Sequence, residues 1–195
     1  MIYPATHNIT ILQNSTWKGT FRATQNRQTL TSISIDGSTP TFNCGCHGLT
    51  AGTKVVFTGG STVPCGLVLN TVYYVIATGL TTDAFQVSAS DGGSSISVSG
   101  SAVGTFYVAT PLDLTSYIID SDVNGLNTDT QVMTFSASIT DATNGEFQLT
   151  VAPATTAPIT EGRYGYDVSL TSPGGERYYW VKGTATVEKT YSRNV

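Results

Sequence analysis

The chain has 195 residues, 11% charged and 39% hydrophobic, with 20 glycines and a formal net charge of −4. A sequence pI of about 4.9 and nine scattered Lys and Arg residues argue against a nucleic-acid partner, because phosphate contacts need clustered cations. Residues 1–10 show no charged stretch leading into an apolar one, and no apolar run reaches the roughly 18 residues of a membrane span, so a soluble chain with no secretory address and no membrane insertion is expected.

Thr and Ser make up about a quarter of the residues, whereas Leu, Lys and Glu are scarce. β-Branched side chains lose χ1 freedom in a helix but pack well on a pleated surface, so an all-β fold with almost no helix is predicted. Residues 8–24 carry two short alternating runs, Ile9 and Ile11 in the first, Trp17, Gly19 and Phe21 in the second. The middle block has its own rhythm: strands are predicted at 41–45, 53–59, 71–78, 84–90, 95–99 and 104–108, with a turn at 47–52 and a loop over 60–69. Six short strands suffice for a small barrel or sandwich.

After Pro111, residues 131–140 place Met133, Phe135, Ala137 and Ile139 on one face, and Asn144-Gly145 turns the chain into 146–151. Pro153 and Pro158 forbid a central strand in 152–160. Residues 162–171 then form a hairpin through Ser172-Pro173-Gly174-Gly175 with a returning strand at 177–182 and 184–188, kinked at Gly183. The polar tail 189–195 is expected to fray or dock on a neighbour. The opening strands are expected to find their partners only after Pro111. The predicted organisation is thus a discontinuous sandwich from residues 1–26 and 110–195, with a β-domain inserted at 27–109.

The middle block, with His47-Gly48-Leu49, Val55-Val56-Phe57, Gly66-Leu67, Asn70-Thr71, Tyr73-Tyr74-Val75 and Phe85-Gln86-Val87-Ser88, resembles a module of phage tail and fibre proteins. That module is similar to the β-barrel half-domain of ubiquitin-activating enzymes, without their chemistry. The flanking blocks, through residues 8–21, Pro111-Leu112-Asp113-Leu114-Thr115-Ser116-Tyr117, Gly162-Arg163-Tyr164-Gly165-Tyr166-Asp167 and Gly183-Thr184-Ala185-Thr186-Val187, resemble an immunoglobulin-like sandwich of phage baseplate and tail-tip proteins. In that family the first aromatic strand and the Asp-Leu-Thr segment lie close in sequence. Their separation here marks the middle block as an insertion, expected to project.

Candidate chemistry is thin. Cys44, Cys46, His47 and Cys65 could supply a zinc site, but two cysteines separated by one residue have a narrower bite than structural zinc sites use. A disulfide from Cys65 to Cys44 or Cys46, and buried free thiols, are the other readings. The resemblance implies a turn-packing role for His47. Asp36, Asp83, Asp91, Asp113, Asp120, Asp122, Asp129, Asp141 and Asp167 mostly stand beside turn residues, where an Asp side chain bonds nearby backbone. No carboxylate pair is marked out for acid–base work, and residues 120–124, which resemble a calcium loop only faintly, read as a solvated turn.

Tyr164, Tyr166, Tyr178, Tyr179 and Trp180 crowd the last hairpin, and alternation places Tyr179 on the face opposite Tyr178 and Trp180. Exposed members of such a set suit a subunit interface. Taken together, these features and the resemblance imply a structural, non-enzymatic bacteriophage virion protein with no cofactor. Its partners would be other virion proteins and copies of itself in a symmetric oligomer, with a place in the tail, baseplate or fibre-attachment region. A capsid-decorating or neck protein, and a carbohydrate-binding module contacting a host surface glycan, are the alternatives.

Overall fold

A computed structural model describes residues 5–126, 128 and 130–191; Asp129 and the tail residues 192–195 lie outside the described residues. The fold is all-β, and among the described residues helix is limited to one turn at Pro153–Thr156 and a 3-10 turn at Ala142–Asn144. No helix among the described residues is long and apolar enough to cross a membrane. The chain divides into two compact units, one from Met1–Ala23 with Asp113–Val195 and the other from Thr24–Leu112.

Unit 1 is a sandwich of two sheets. The larger contains β1 (Ala5–Thr6), β2 (Ile9–Leu12), β11 (Ile118–Gly125), β12 (Gln131–Thr134), β15 (Gly162–Thr171) and β16 (Arg177–Glu188); the smaller runs β13 (Ser136–Asp141), β14 (Glu146–Val151), β3 (Trp17–Arg22). β1 and β2 run parallel to β16, with Ile9 opposite Ala185 and Ile11 opposite Val187. β3 lies antiparallel to β14, with Phe21 opposite Phe147 and the two rings stacked. The two opening strands therefore do not pair with each other; they join different sheets. Between them the Trp17, Phe135 and Tyr166 rings form a relay, 5.1 Å and 6.1 Å between successive centroids, that joins the two layers.

Where β1 gives way to β2, the backbone comes unusually close to β16. The His7 amide donates to the Lys182 carbonyl at 3.0 Å, and the Tyr166 hydroxyl donates to the His7 carbonyl at 2.7 Å. The Thr184 amide donates to the Asn8 side-chain oxygen at 2.9 Å, so a side chain fills the gap in the ladder. A Cβ on Gly183 would lie 1.8 Å from that His7 carbonyl oxygen. Gly183 thus makes room for the first strand rather than kinking the last one: β16 is continuous through it. The irregularity falls at Trp180 instead, where Val168 pairs with Val181 and Ser169 with Tyr179, leaving one extra residue.

Residues 131–140, expected as one strand, are two. The chain leaves the larger sheet after Thr134, passes through buried Phe135, and enters the smaller sheet at Ser136, where Ile139 is exposed. The following turn is a 3-10 turn capped by the Asp141 carboxylate and closed by Gly145 at φ 69°, the left-handed conformation that glycine adopts without steric cost. Pro153 occupies the first turn of the short helix, where its missing N–H costs nothing.

Unit 2 is a seven-stranded antiparallel sheet in the order β4 (Thr24–Thr29), β10 (Phe106–Pro111), β7 (Lys54–Gly59), β8 (Val72–Ile76), β9 (Ala84–Ser88), β6 (Thr39–Asn43), β5 (Ser32–Asp36). It wraps a core in which Phe42 stacks on Phe57 and Phe85 at 4.3 and 5.5 Å. The order ends at β4 and β5, so the sheet does not close into a barrel. Residues 95–99, expected as a strand, make only isolated bridges, Ser88 to Ser95 and Cys65 to Ser99, while β4 and β5 were not expected.

Gly183→Ala should destabilise unit 1 by about 2 kcal/mol or more, since backbone must move to admit the methyl group. Tyr166→Phe should cost about 1 kcal/mol through the lost hydrogen bond to His7. Both tryptophans, Trp17 and Trp180, belong to this unit, so tryptophan fluorescence during denaturation reads it directly; an unchanged midpoint for the alanine variant would contradict the close approach.

Candidate functional site

The strand sequence of β11 places Asp120, Asp122 and Asn124 on alternate positions and hence on one face of the larger sheet of unit 1. Residues 120–124 are therefore strand, not turn: Val123 and Ser121, between the polar positions, are buried beneath. Asp122 stands directly opposite Asp167 on β15, which in turn stands opposite Lys182 on β16; one row further along, Asp120 stands opposite Ser169. Gln131 donates to the Asp122 carboxylate at 2.7 Å, and Arg177 donates through Nε to Ser169 at 2.9 Å. Burial first, and then the neighbouring Asp122 carboxylate, push the Asp167 carboxyl up from its usual range, while Arg177 pulls it back.

Beside this row lies an open groove of about 400 Å³, floored by Gly125, Gly165 and Gly183 and rimmed by Asn8, Asn124, Asp167, Lys182 and Thr184.

The aromatic set of the last hairpin is divided by the structure. Tyr166 is 4% exposed and belongs to the core, so its ring offers nothing to a partner. Tyr164 is half-buried and donates to the Thr160 carbonyl at 2.7 Å, and Trp180 is half-buried at the irregularity in β16. Tyr178 and Tyr179 are 38% and 51% exposed. Tyr178 donates to the Glu176 carboxylate, which pushes its phenol up, and the Arg177 guanidinium lies 5.7 Å from the Tyr179 ring centre. The extra residue at Trp180 breaks the alternation expected from sequence. Both Tyr178 and Tyr179, together with Ile118 at 61%, are accessible.

The metal candidates do not converge. Cys44 is buried with its thiol 3.1 Å from the Gln28 side-chain oxygen and 3.5 Å from the Thr29 carbonyl, and burial pushes that thiol up, away from the thiolate a metal needs. Cys46 and Cys65 are exposed, and all three cysteines are free thiols, so neither a disulfide nor a fully buried set is found. His47 is buried edge-on to Phe85, 5.2 Å between ring centres; its Nδ1 accepts from the Leu49 amide at 2.9 Å. That bond holds the first residues of the 47–52 segment and places the ring proton on Nε2, which faces the Ala84 carbonyl at 3.4 Å. Among the described residues no three His, Cys, Asp or Glu side chains gather where they could hold a metal.

Turn carboxylates are engaged with nearby groups. Asp83 accepts from the Cys46 amide at 2.8 Å, Asp113 from the Thr115 amide at 2.9 Å, and Asp141 from the Asn144 amide at 3.2 Å. An ion pair between Arg22 and Glu146, 2.7 Å, ties β3 to β14. No family model matches the chain, and no curated protein does.

The row containing Asp167 has a consequence for stability. A carboxyl raised in the folded state binds its proton more tightly than in the unfolded chain, so its contribution is lost as pH rises from the usual carboxylate range through the folded value. The facing charges are Asp120 and Asp122 on β11 and Arg177 and Lys182 on β16. Asp167→Asn should accordingly raise the denaturation midpoint of unit 1 at pH 7, with the gain vanishing at pH 3. A loss at pH 7 would mean that the charge on Asp167 is favourable where it sits.

Proposed function

We propose that the chain is a non-enzymatic structural component of a bacteriophage virion, in the tail, baseplate or fibre-attachment region, acting through contacts with other virion proteins and with copies of itself. The observation that supports this reading most is the split sandwich. Its first strands come from residues 9–22 and their partners from residues 146–151 and 185–188, with a complete second β unit between them in sequence. The Asp113–Tyr117 part of one motif of the resembling baseplate sandwich, and its Gly162–Asp167 motif, share a unit with the opening strands, while Pro111 and Leu112 belong to unit 2. An immunoglobulin-like identity for unit 1 belongs to this proposal.

The polar surfaces fit assembly better than turnover. Carboxylates are spent on turns and on one sheet face, and the exposed rings Tyr178 and Tyr179 sit at a sheet end where a neighbour can cover them. A second reading, carbohydrate binding during adsorption, rests on the exposure of Tyr179, a flat ring able to stack on a sugar. Glycan-array binding abolished by Tyr179→Ala, with the fold retained, would favour it.

Gold-tagged antibody against this chain, applied to intact virions and located by electron microscopy, tests the main reading. Gold confined to the tail is expected. Gold over the head would instead mean capsid decoration, and particles free of gold under conditions that label the purified protein would overturn the virion reading.

A further inference from the structure

Every open sheet has edges whose backbone N–H and C=O groups invite pairing, and proteins commonly blunt them with bulges, lysines, prolines or very short strands. The edges of this chain differ in that respect. In unit 1, β12 has four residues and an irregularity opposite Val123 and Asn124; β13 has one opposite Phe147 and Glu146; β3 carries exposed Lys18; and β1 and β2 are interrupted at His7 and Asn8. In unit 2, β4 is broken opposite Val108 and Thr110, where Asn26 takes φ 51° and Arg27 lies over the Tyr107 ring at 3.7 Å.

β5 carries none of these devices. Its register with β6 is continuous from Ser32 opposite Asn43 to Asp36 opposite Thr39. Its sequence, Ser-Ile-Ser-Ile-Asp, alternates cleanly: Ile33 and Ile35 pack against the unit 2 core, and Ser32, Ser34 and Asp36 are exposed. The exposed face is also held in place. The Asn43 side-chain amide donates to the hydroxyls of both Ser32 and Ser34, at 3.0 and 3.2 Å. Pro40, which has no N–H, stands opposite Ile35. That marks Ile35 as a non-hydrogen-bonded position of the β5–β6 ladder, so the N–H and C=O groups of Ile35 and, two residues back, Ile33 point to the open edge.

We infer that this edge pairs antiparallel with the same edge of a second copy of the chain, about a twofold axis at Ser34. The strand is self-complementary in that register. Ile33 of one copy meets Ile35 of the other and exchanges both backbone bonds with it, and the two Ser34 side chains meet on the exposed face. Each Asp36 falls opposite an uncharged Ser32. The two carboxylates are then four residues apart along the pair, about 14 Å, beyond the roughly 8 Å screening length at physiological salt. The isoleucines of both copies line one side of the joined sheets, continuing the apolar stripe that each copy already packs on its core.

This inference names the surface behind the self-association proposed above and rests on that part of the reading. Gold labelling locates the chain in a virion whatever its oligomeric state, so the two can fail separately.

The test is the mass of the intact chain in solution across a concentration series, by analytical ultracentrifugation. The wild type is expected to dimerise. Ser34→Lys and Ser34→Glu, which place like charges directly across the axis, should each weaken the dimer about tenfold, while an equimolar mixture of the two restores it as a heterodimer. Ser34→Thr, which keeps an uncharged hydroxyl, should associate as the wild type does and controls for folding. A wild type that stays monomeric throughout the series, or association that neither charged variant weakens, would overturn the inference.

Discussion

The carbonyl of His7 occupies the space that a side chain at residue 183 would need, and the organisation of unit 1 follows from that contact. It seats the first strand beside the last, parallel to it, with the Tyr166 hydroxyl reaching up from β15 to hold the same oxygen. Once β2 is committed to the larger sheet, the chain crosses to the smaller one, where β3 pairs with β14. Everything between Ala23 and Asp113 is then free to form a unit with its own core, because the strands that close the sandwich come from the two ends of the chain. Such pairings are remote in sequence, so their loop-closure entropy must be offset by burial of Ile9, Ile11, Phe147 and Val187.

The scarcity of charge shapes the rest. With few Lys and Glu residues, the chain cannot solvate its sheets with ion pairs. It uses Thr and Ser hydroxyls on outer faces and keeps Asp for turns, where the carboxylate satisfies backbone amides that would otherwise lack partners. The exception is the row across β11, β15 and β16, where two carboxylates face each other and one is partly buried. The β5 edge and the exposed tyrosines, rather than a cleft lined by titratable groups, are the surfaces on which the proposed contacts rest.

Much of this was legible in the residues. Phe147, Leu149 and Val151 alternate in a strand predicted to the residue, and so do the apolar positions of 162–171, because each run turns its apolar side chains to one face. Other features escaped. β4 is Thr-Gln-Asn-Arg-Gln-Thr, an edge strand with no apolar face to reveal it. Residues 131–140 read as one alternating strand because Phe135 is buried whether the chain stays in one sheet or passes to the next; only tertiary packing separates the cases. The extra residue at Trp180 interrupts the alternation by which Trp180 was expected to share a face with Tyr178, and nothing local in Tyr-Tyr-Trp-Val announces it. Of the candidate interface residues, Tyr178 and Tyr179 are accessible while Tyr166 is spent on the core. The Asp122–Asp167 pairing was hidden because residues 120–124 have the composition of a turn.

Hydrogen exchange on the intact protein, followed by mass spectrometry, tests the split sandwich most directly. Peptides covering β2 and β3 should be protected to the same degree as those covering β14 and β16, and should lose protection together with them as denaturant is added, separately from peptides covering β7 and β9. Exchange of residues 9–22 at the rate of an unstructured segment, while residues 146–188 remain protected, would contradict the account.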